Sequence, residues 1–231
     1  MTRGTDRGRL AGSSWGRPPE QARSARTAGR ILDSAQQLLD KNDFDDLSVP
    51  QIVANAGCSV GAFYGRFRDK EGLLEALDER YVEVFAEQIE RTWEKAGQKK
   101  APLDEIVHDT IAELVAFHRT NRGLVRTLIS RARRKPDSGY RRREERLNAL
   151  VPRFVDLVLS EQYHLAQDNV PSAVSLGMLM LLFTIREFVL WDHLARIVPL
   201  SDEALIDELT RAFLKCVGFT QRAERGKKRR S

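Results

Sequence analysis

Few side chains in this sequence have a type and spacing suited to bond-making chemistry. The two cysteines, Cys58 and Cys216, lie far apart, and the four histidines, His108, His118, His164 and His193, are scattered. Asp104 and His108 stand one helical turn apart, and His108 with His118 could line a cavity, but zinc needs at least three convergent protein ligands and no convincing third is present. There is no Gly-rich phosphate loop, no serine nucleophile elbow and no pair of catalytic carboxylates. The sequence therefore predicts no catalytic residue, no metal and no cofactor. What it offers is non-covalent chemistry over residues 48–70, where capping hydroxyls, very small side chains, a tyrosine and several cations crowd into about two short helices.

Those residues need elements to hold them. Ile31, Leu32, Ala35, Leu38 and Leu39 recur at helical spacing, and the Asp- and Asn-rich stretch 40–47 breaks that pattern with turn formers. Ser48 begins a second helix: Ser48-x-x-Gln51 is a capping box, Pro50 is tolerated in a first turn, and Gly57 is a natural stop. Ser59 caps a third helix, from about Val60 to Phe67, with Phe63 and Phe67 facing inward. Two short helices joined by a Gly-containing turn form a helix-turn-helix. Asp69 or a neighbour starts a long fourth helix to about Gly97.

Beyond that point no strand-like alternation occurs, so the chain reads as all-α. Further helices are expected after Pro102, at about 123–130, at about 147–158 with Pro152 disturbing the first turns, at 171–194, and at about 205–217. The segment 171–194 is apolar nearly all round at its centre, which implies burial on several sides. The basic run Arg131, Arg133, Arg134, Lys135, Arg141, Arg142 and Arg143 reads first as a solvated loop, with an anion site or flanking-DNA contacts as alternatives.

The chain has 231 residues and a formal charge of +5. The excess sits in residues 1–22, which read as a disordered basic arm, in residues 131–170, and in the basic tail 221–231. Two lone cysteines suit a reducing cytosol. No apolar signal segment opens the chain, and the longest apolar run, Met178 to Ile185, is too short to cross a bilayer. A cytoplasmic protein without a membrane partner is expected.

The run 30–40, then Phe44, then residues 48–74 (SVPQIVANAGCSVGAFYGRFRDKEGLL) resembles the signature of TetR (tetracycline-repressor-like) regulators, with the spacing between helices intact. The resemblance implies a DNA-binding helix-turn-helix domain at 23–77, then a helical regulatory and dimerisation domain at 78–220. In such a unit the third helix enters the major groove and turns its N-terminal residues to base edges. Here those are Ser59, Val60, Gly61, Ala62 and Tyr64. The resemblance further implies phosphate contacts from Ser48, Tyr64 and Lys70, with Arg66 adding charge at the same edge. The sequence departs from the family at Val60, Ala62, Gly65 and Arg66, so direct hydrogen bonds to bases fall to Ser59, Tyr64 or Arg66, beside apolar contact of Val60 and Ala62 with thymine methyls and shape readout.

The resemblance also implies double-stranded DNA as partner, a homodimer and a small hydrophobic effector. Trp93, Phe117, His118, Met178, Phe183 and Trp191 are the candidate ligand contacts, though most would serve equally as core. The stripe Leu205, Leu209, Phe213 and Val217 on the last helix is the candidate dimer interface, paired with the helix at 171–194. Two alternatives stand beside this reading: a DNA-binding regulator without a small-molecule ligand, and a helical adaptor binding nucleic acid or membrane without sequence preference.

Overall fold

A computed structural model describes residues 19–134, 138–160, 165 and 168–219. The arm up to residue 18, the tail from 220, His164 and Lys135 lie outside the described residues. The elements are α1 (Pro19–Leu39), α2 (Val49–Asn55), α3 (Val60–Tyr64), α4 (Lys70–Lys99), α5 (Leu103–Thr120), α6 (Arg122–Arg134), α7 (Ser138–Asn148), α8 (Leu150–Ser160), α9 (Val170–Leu190), α10 (Asp192–Ile197) and α11 (Asp202–Cys216). Among the described residues there is no β-strand, and the all-α architecture stands.

The first three helices and the start of α4 enclose Ile31, Leu39, Ile52, Phe63, Leu73 and Leu77, all fully or almost fully buried. The capping box forms as expected: Ser48 Oγ accepts from the Gln51 amide, and Gln51 Oε1 accepts from the Ser48 amide at 2.8 Å. Gly57 adopts φ 61°, the left-handed stop that most other residues resist. Gly65 ends α3 earlier than Phe67, which nevertheless packs inward behind Phe63.

The larger helical unit is built round α5, which packs against α4, α9 and α11. Pro152 leaves the chain helical but divides the expected single helix. It lacks the amide that would reach the carbonyl of Asn148, so α7 ends there and α8 begins at Leu150. Trp191 similarly separates α9 from the short α10. The basic run is not a loop. Arg131 and Arg133 belong to α6 and Arg141 and Arg143 to α7, while the side chains of Arg134 and Arg142 lie outside the described ones.

On the last helix, Leu205, Phe213 and the following Val217 are buried within their own protomer and Leu209 is half-buried, the helix packing against α5 and α9. The Phe213 ring sits on Gly177 of α9, where an added Cβ would come within 2.8 Å of it. The outer face of α11 is polar, with Asp202, Glu203, Asp207, Glu208 and Arg211 exposed.

The uncovered apolar surface is on α9 instead. Val174, Met178, Leu181 and Ile185 point into the bundle, while Leu176, Leu179, Met180 and Phe183 are exposed. With 21 residues and a mean hydropathy of 1.8 over its best window, α9 has the length and composition to cross a membrane, although one side of it is core. Unbroken runs understate such a helix, because Ser175, Gly177 and Thr184 interrupt them without making it polar.

The two units meet closely. Gly123, in the first turn of α6, lies against the end of α1, where an added Cβ would stand 2.2 Å from the Leu39 carbonyl oxygen. Gln36 donates to Asn121 at 2.7 Å, and Arg80 of α4 donates to Asp33 and Gln36 of α1, each at 2.6 Å.

Candidate nucleic-acid interface and effector cavity

The N-terminal turn of α3 is held out from the domain. Ser59 caps it by accepting from the Ala62 amide at 3.1 Å, and the fully buried Phe63 anchors the opposite side. This leaves Ser59, Val60, Gly61 and Tyr64 exposed and Ala62 half-buried. Val60 and Tyr64 keep 44% and 57% of their surface, unusual for an apolar and an aromatic side chain on a five-residue helix. The surface is almost free of bulk at Gly61 and Gly65, which permits close backbone approach.

Two of the expected contacts are arranged differently. The Lys70 ammonium donates to the carbonyls of Phe44, Asp45 and Leu47 at 2.8, 3.1 and 2.6 Å and lies over the Phe44 ring. Its three donors are thereby committed to the turn Phe44–Asp46, so the side chain pins that turn to α4 and has no proton left for a phosphate. Arg66 also folds back, donating to the carbonyls of Ser24 and Ala62 at 3.0 and 2.8 Å. Lys70→Ala is therefore expected to lower the stability of the full chain by about 1.5–3 kcal/mol, the range for hydrogen bonds to a charged group. Urea unfolding checks this, and an unchanged midpoint would show the three bonds to be idle.

The Arg66–Ser24 bond brings the start of α1 beside α3. Arg23 and Arg26, both exposed, thus stand near the recognition surface, although the sequence reading did not single them out. The first turns of α1 carry Ala22, Ala25, Ala28 and Gly29 rather than large apolar residues, so hydrophobic periodicity was faint there. Arg30 closes the other end of the motif by donating to the carbonyls of Ala56 and Gly57. From the second unit, Arg131 pairs with Asp45 and Glu71 and, like Lys70, lies over the Phe44 ring. Part of the acidic loop is thus neutralised from α6.

A cavity of about 220 Å³ lies in the second unit, walled mainly by α4, α5, α7 and α9. Trp93, His118, Met178 and Phe183 line it as expected. Phe117 and Trp191 do not. Phe117 is buried against Tyr81 and Phe85 without itself lining the cavity, and Trp191, at the end of α9, sits by Leu39 and Gly123 near the junction of the units. Such placements depend on how α5 is turned against α4, which amphipathic spacing alone does not set.

The cavity also has polar members that sequence reasoning passed over: Tyr81, Arg143 and Arg186. Arg143 pairs with Asp78 in a nearly enclosed bridge, with side chains 11% and 13% exposed. Burial pushes the Tyr81 phenol far above its usual range, so it keeps its proton. Burial likewise lowers the His118 pKa, so the ring is neutral at pH 7, and its Nδ1–H donates to the Leu114 carbonyl at 2.8 Å. Trp93 Nε1 donates to Thr110 Oγ1 at 3.0 Å, which fixes the indole.

Residues 31–77 match the family model for bacterial regulatory proteins of the tetR family. No curated protein matches the chain. Solved structures do. A putative TetR-family transcriptional regulator from Mesorhizobium loti superposes with a TM-score of 0.67 at 22% identity, covering 85% of this chain and 98% of its own. A tetR-family regulatory protein from Rhodococcus gives 0.63 at 16%, covering 85% and 99%. The regulator FadR from Bacillus subtilis, in complex with stearoyl-CoA, gives 0.59 at 21%, covering 82% and 98%. Residues 31–77 thus match the tetR-family model, and the described residues share the fold of these solved regulators.

Proposed function

We propose that the protein is a cytoplasmic, homodimeric repressor that grips an inverted-repeat operator and lets go when a small apolar or amphipathic molecule enters the cavity. The observation that carries this reading is the course of α4. It begins at Asp69–Lys70, directly behind the recognition surface, and then supplies Tyr81, Phe85, Ile89 and Trp93 to the cavity wall. Residues 23–77 act as the DNA-binding domain and 78–220 as the regulatory one, with α4 shared between them. A ligand that prefers a tilted α4 changes the separation of two recognition helices, and about 1–3 kcal/mol of coupling shifts affinity 5- to 150-fold. Stearoyl-CoA in the FadR neighbour supports a ligand role for the corresponding unit.

One recognition helix reads few base pairs, so two must be held one DNA turn, about 34–36 Å, apart or a multiple of it. The exposed strip Leu176, Leu179, Met180 and Phe183 on α9 is the surface we assign to the second copy, in a two-fold contact where each α9 meets its mate. Ser59, Val60, Gly61, Ala62 and Tyr64 face the bases. Ser48 lies at a helix start that favours phosphate, and Arg23 and Arg26 supply charge to the flank.

Footprinting of the purified protein on the DNA upstream of its own gene locates the operator. On that site Tyr64→Ala should bind at least about tenfold more weakly, with circular dichroism and thermal midpoint unchanged because the ring is mostly exposed. Arg26→Ala should make the log–log dependence of affinity on salt shallower by about one unit. Wild-type affinity in the Tyr64 variant would move the recognition surface elsewhere.

A further inference from the structure

Most of the cavity wall is hydrocarbon, and the charges on it are unequally satisfied. Arg143 is closed off by Asp78. Arg186 is not. Its Nε is shut away from solvent and makes no hydrogen bond, and the Glu187 carboxylate with which it pairs stands 3.9 Å from that nitrogen, beyond hydrogen-bond length. The guanidinium lies over the Phe183 ring at 4.7 Å, at the edge where the cavity meets the exposed side of α9. Tyr81 and His118 line the same cavity as Arg186.

We propose that this cavity selects an amphipathic monocarboxylate, with its chain among Trp93, Leu114, Leu128 and Met178 and its carboxylate on the Arg186 guanidinium at the cavity edge. The inference uses the effector cavity of the preceding reading and adds the chemical class of its occupant. Arginine presents parallel N–H donors that match two carboxylate oxygens. The Tyr81 hydroxyl, which retains its proton, is a further donor. The neutral His118 ring spends its one N–H on Leu114 and Arg143 is met by Asp78, so Arg186 is the cation that faces the ligand. The exposed Glu144 carboxylate on the same wall disfavours a second negative charge. At about 220 Å³ the space lies just under the roughly 300–1,000 Å³ of common small-molecule pockets, which leaves no interior room for a nucleotide head group.

The test is calorimetric titration of the full-length protein with decanoate, 1-decanol and decanoyl-CoA, all below micellar concentrations. Decanoate should bind at least about tenfold more tightly than decanol, as a charge-assisted pair in a dry site implies. Arg186→Gln should bring the two within about twofold of each other without loss of decanol binding. Arg186→Lys, which keeps the charge but loses the fork, should retain only part of the preference and decides the matter if the Gln variant does not fold. Equal binding of decanoate and decanol by the wild-type protein, a preference untouched in both variants, binding of decanoyl-CoA alone, or no binding at all would each overturn the proposal. Decanoate that binds through Arg186 yet leaves the operator complex intact would overturn ligand-triggered release while leaving the carboxylate site standing.

Discussion

Phe213→Asp is expected to abolish cooperative folding of the chain. Phe213 retains 2% of its surface and packs in a tight seam of the second unit, edge-on to Phe154 at a centroid distance of 5.9 Å and against Gly177. Removing a buried Phe side chain costs about 3–5 kcal/mol before any charge is considered. A carboxylate left in that seam without a partner adds several more, and the total approaches the whole stability of an ordinary domain, about 5–15 kcal/mol. Met180→Asp, on the same pair of helices, is the contrasting case. Met180 is 56% exposed, so the charge meets water in a lone protomer and costs little there. That variant should stay helical and sediment as a monomer at concentrations where the parent is dimeric. If Phe213→Asp gives a folded monomer and Met180→Asp a dimer, the interface belongs to α11 after all.

Gly123→Ala is expected to uncouple the two units. The new methyl would stand 2.2 Å from the Leu39 carbonyl oxygen and 2.6 Å from the Asp40 amide nitrogen. Both are backbone atoms at the end of α1, so neither can swing aside as a side-chain tip would. The start of α6 must therefore back away, which strains the Gln36–Asn121 bond and the Gly123 amide bond to Asp40. Overpacking of this kind costs about 1–3 kcal/mol and at times more. The loss should appear as an earlier transition in thermal unfolding and as weakened operator binding. A single transition at the parental temperature would show that the contact carries no coupling.

The DNA-binding unit was largely legible because its signals are local. A capping box, a stop glycine and two inward phenylalanines each act within a few residues, and all took the expected form. Lys70 was not legible in the same way. Its partners are backbone carbonyls of residues 44, 45 and 47, which leave no trace in a side-chain pattern. The stripe on α11 shows a general limit. Amphipathic spacing says that a face is covered, but not whether the cover is the same chain or another. The α9 sequence carries the complementary ambiguity, since a helix apolar all round can be coated twice by its own fold or once by itself and once by a neighbour. Arg131 and Arg143 were read as solvent-facing because they sit among other basic residues. Their acidic partners Asp45, Glu71 and Asp78 are about 60 to 90 residues away, and only the packing of α6 and α7 on the start of the chain brings them together.

The half-coated α9 makes stability a property of the population as well as of the molecule. If its outer face is sealed only by a second copy, each protomer's resistance to unfolding and to proteolysis contains a mass-action component and falls as the protein is diluted. Scarcity would then act twice, by leaving fewer paired recognition helices and by leaving more chains with a greasy strip open to proteases and chaperones. A regulator built this way is cleared fastest when it is least abundant, which sharpens the threshold between a controlled gene and a free one.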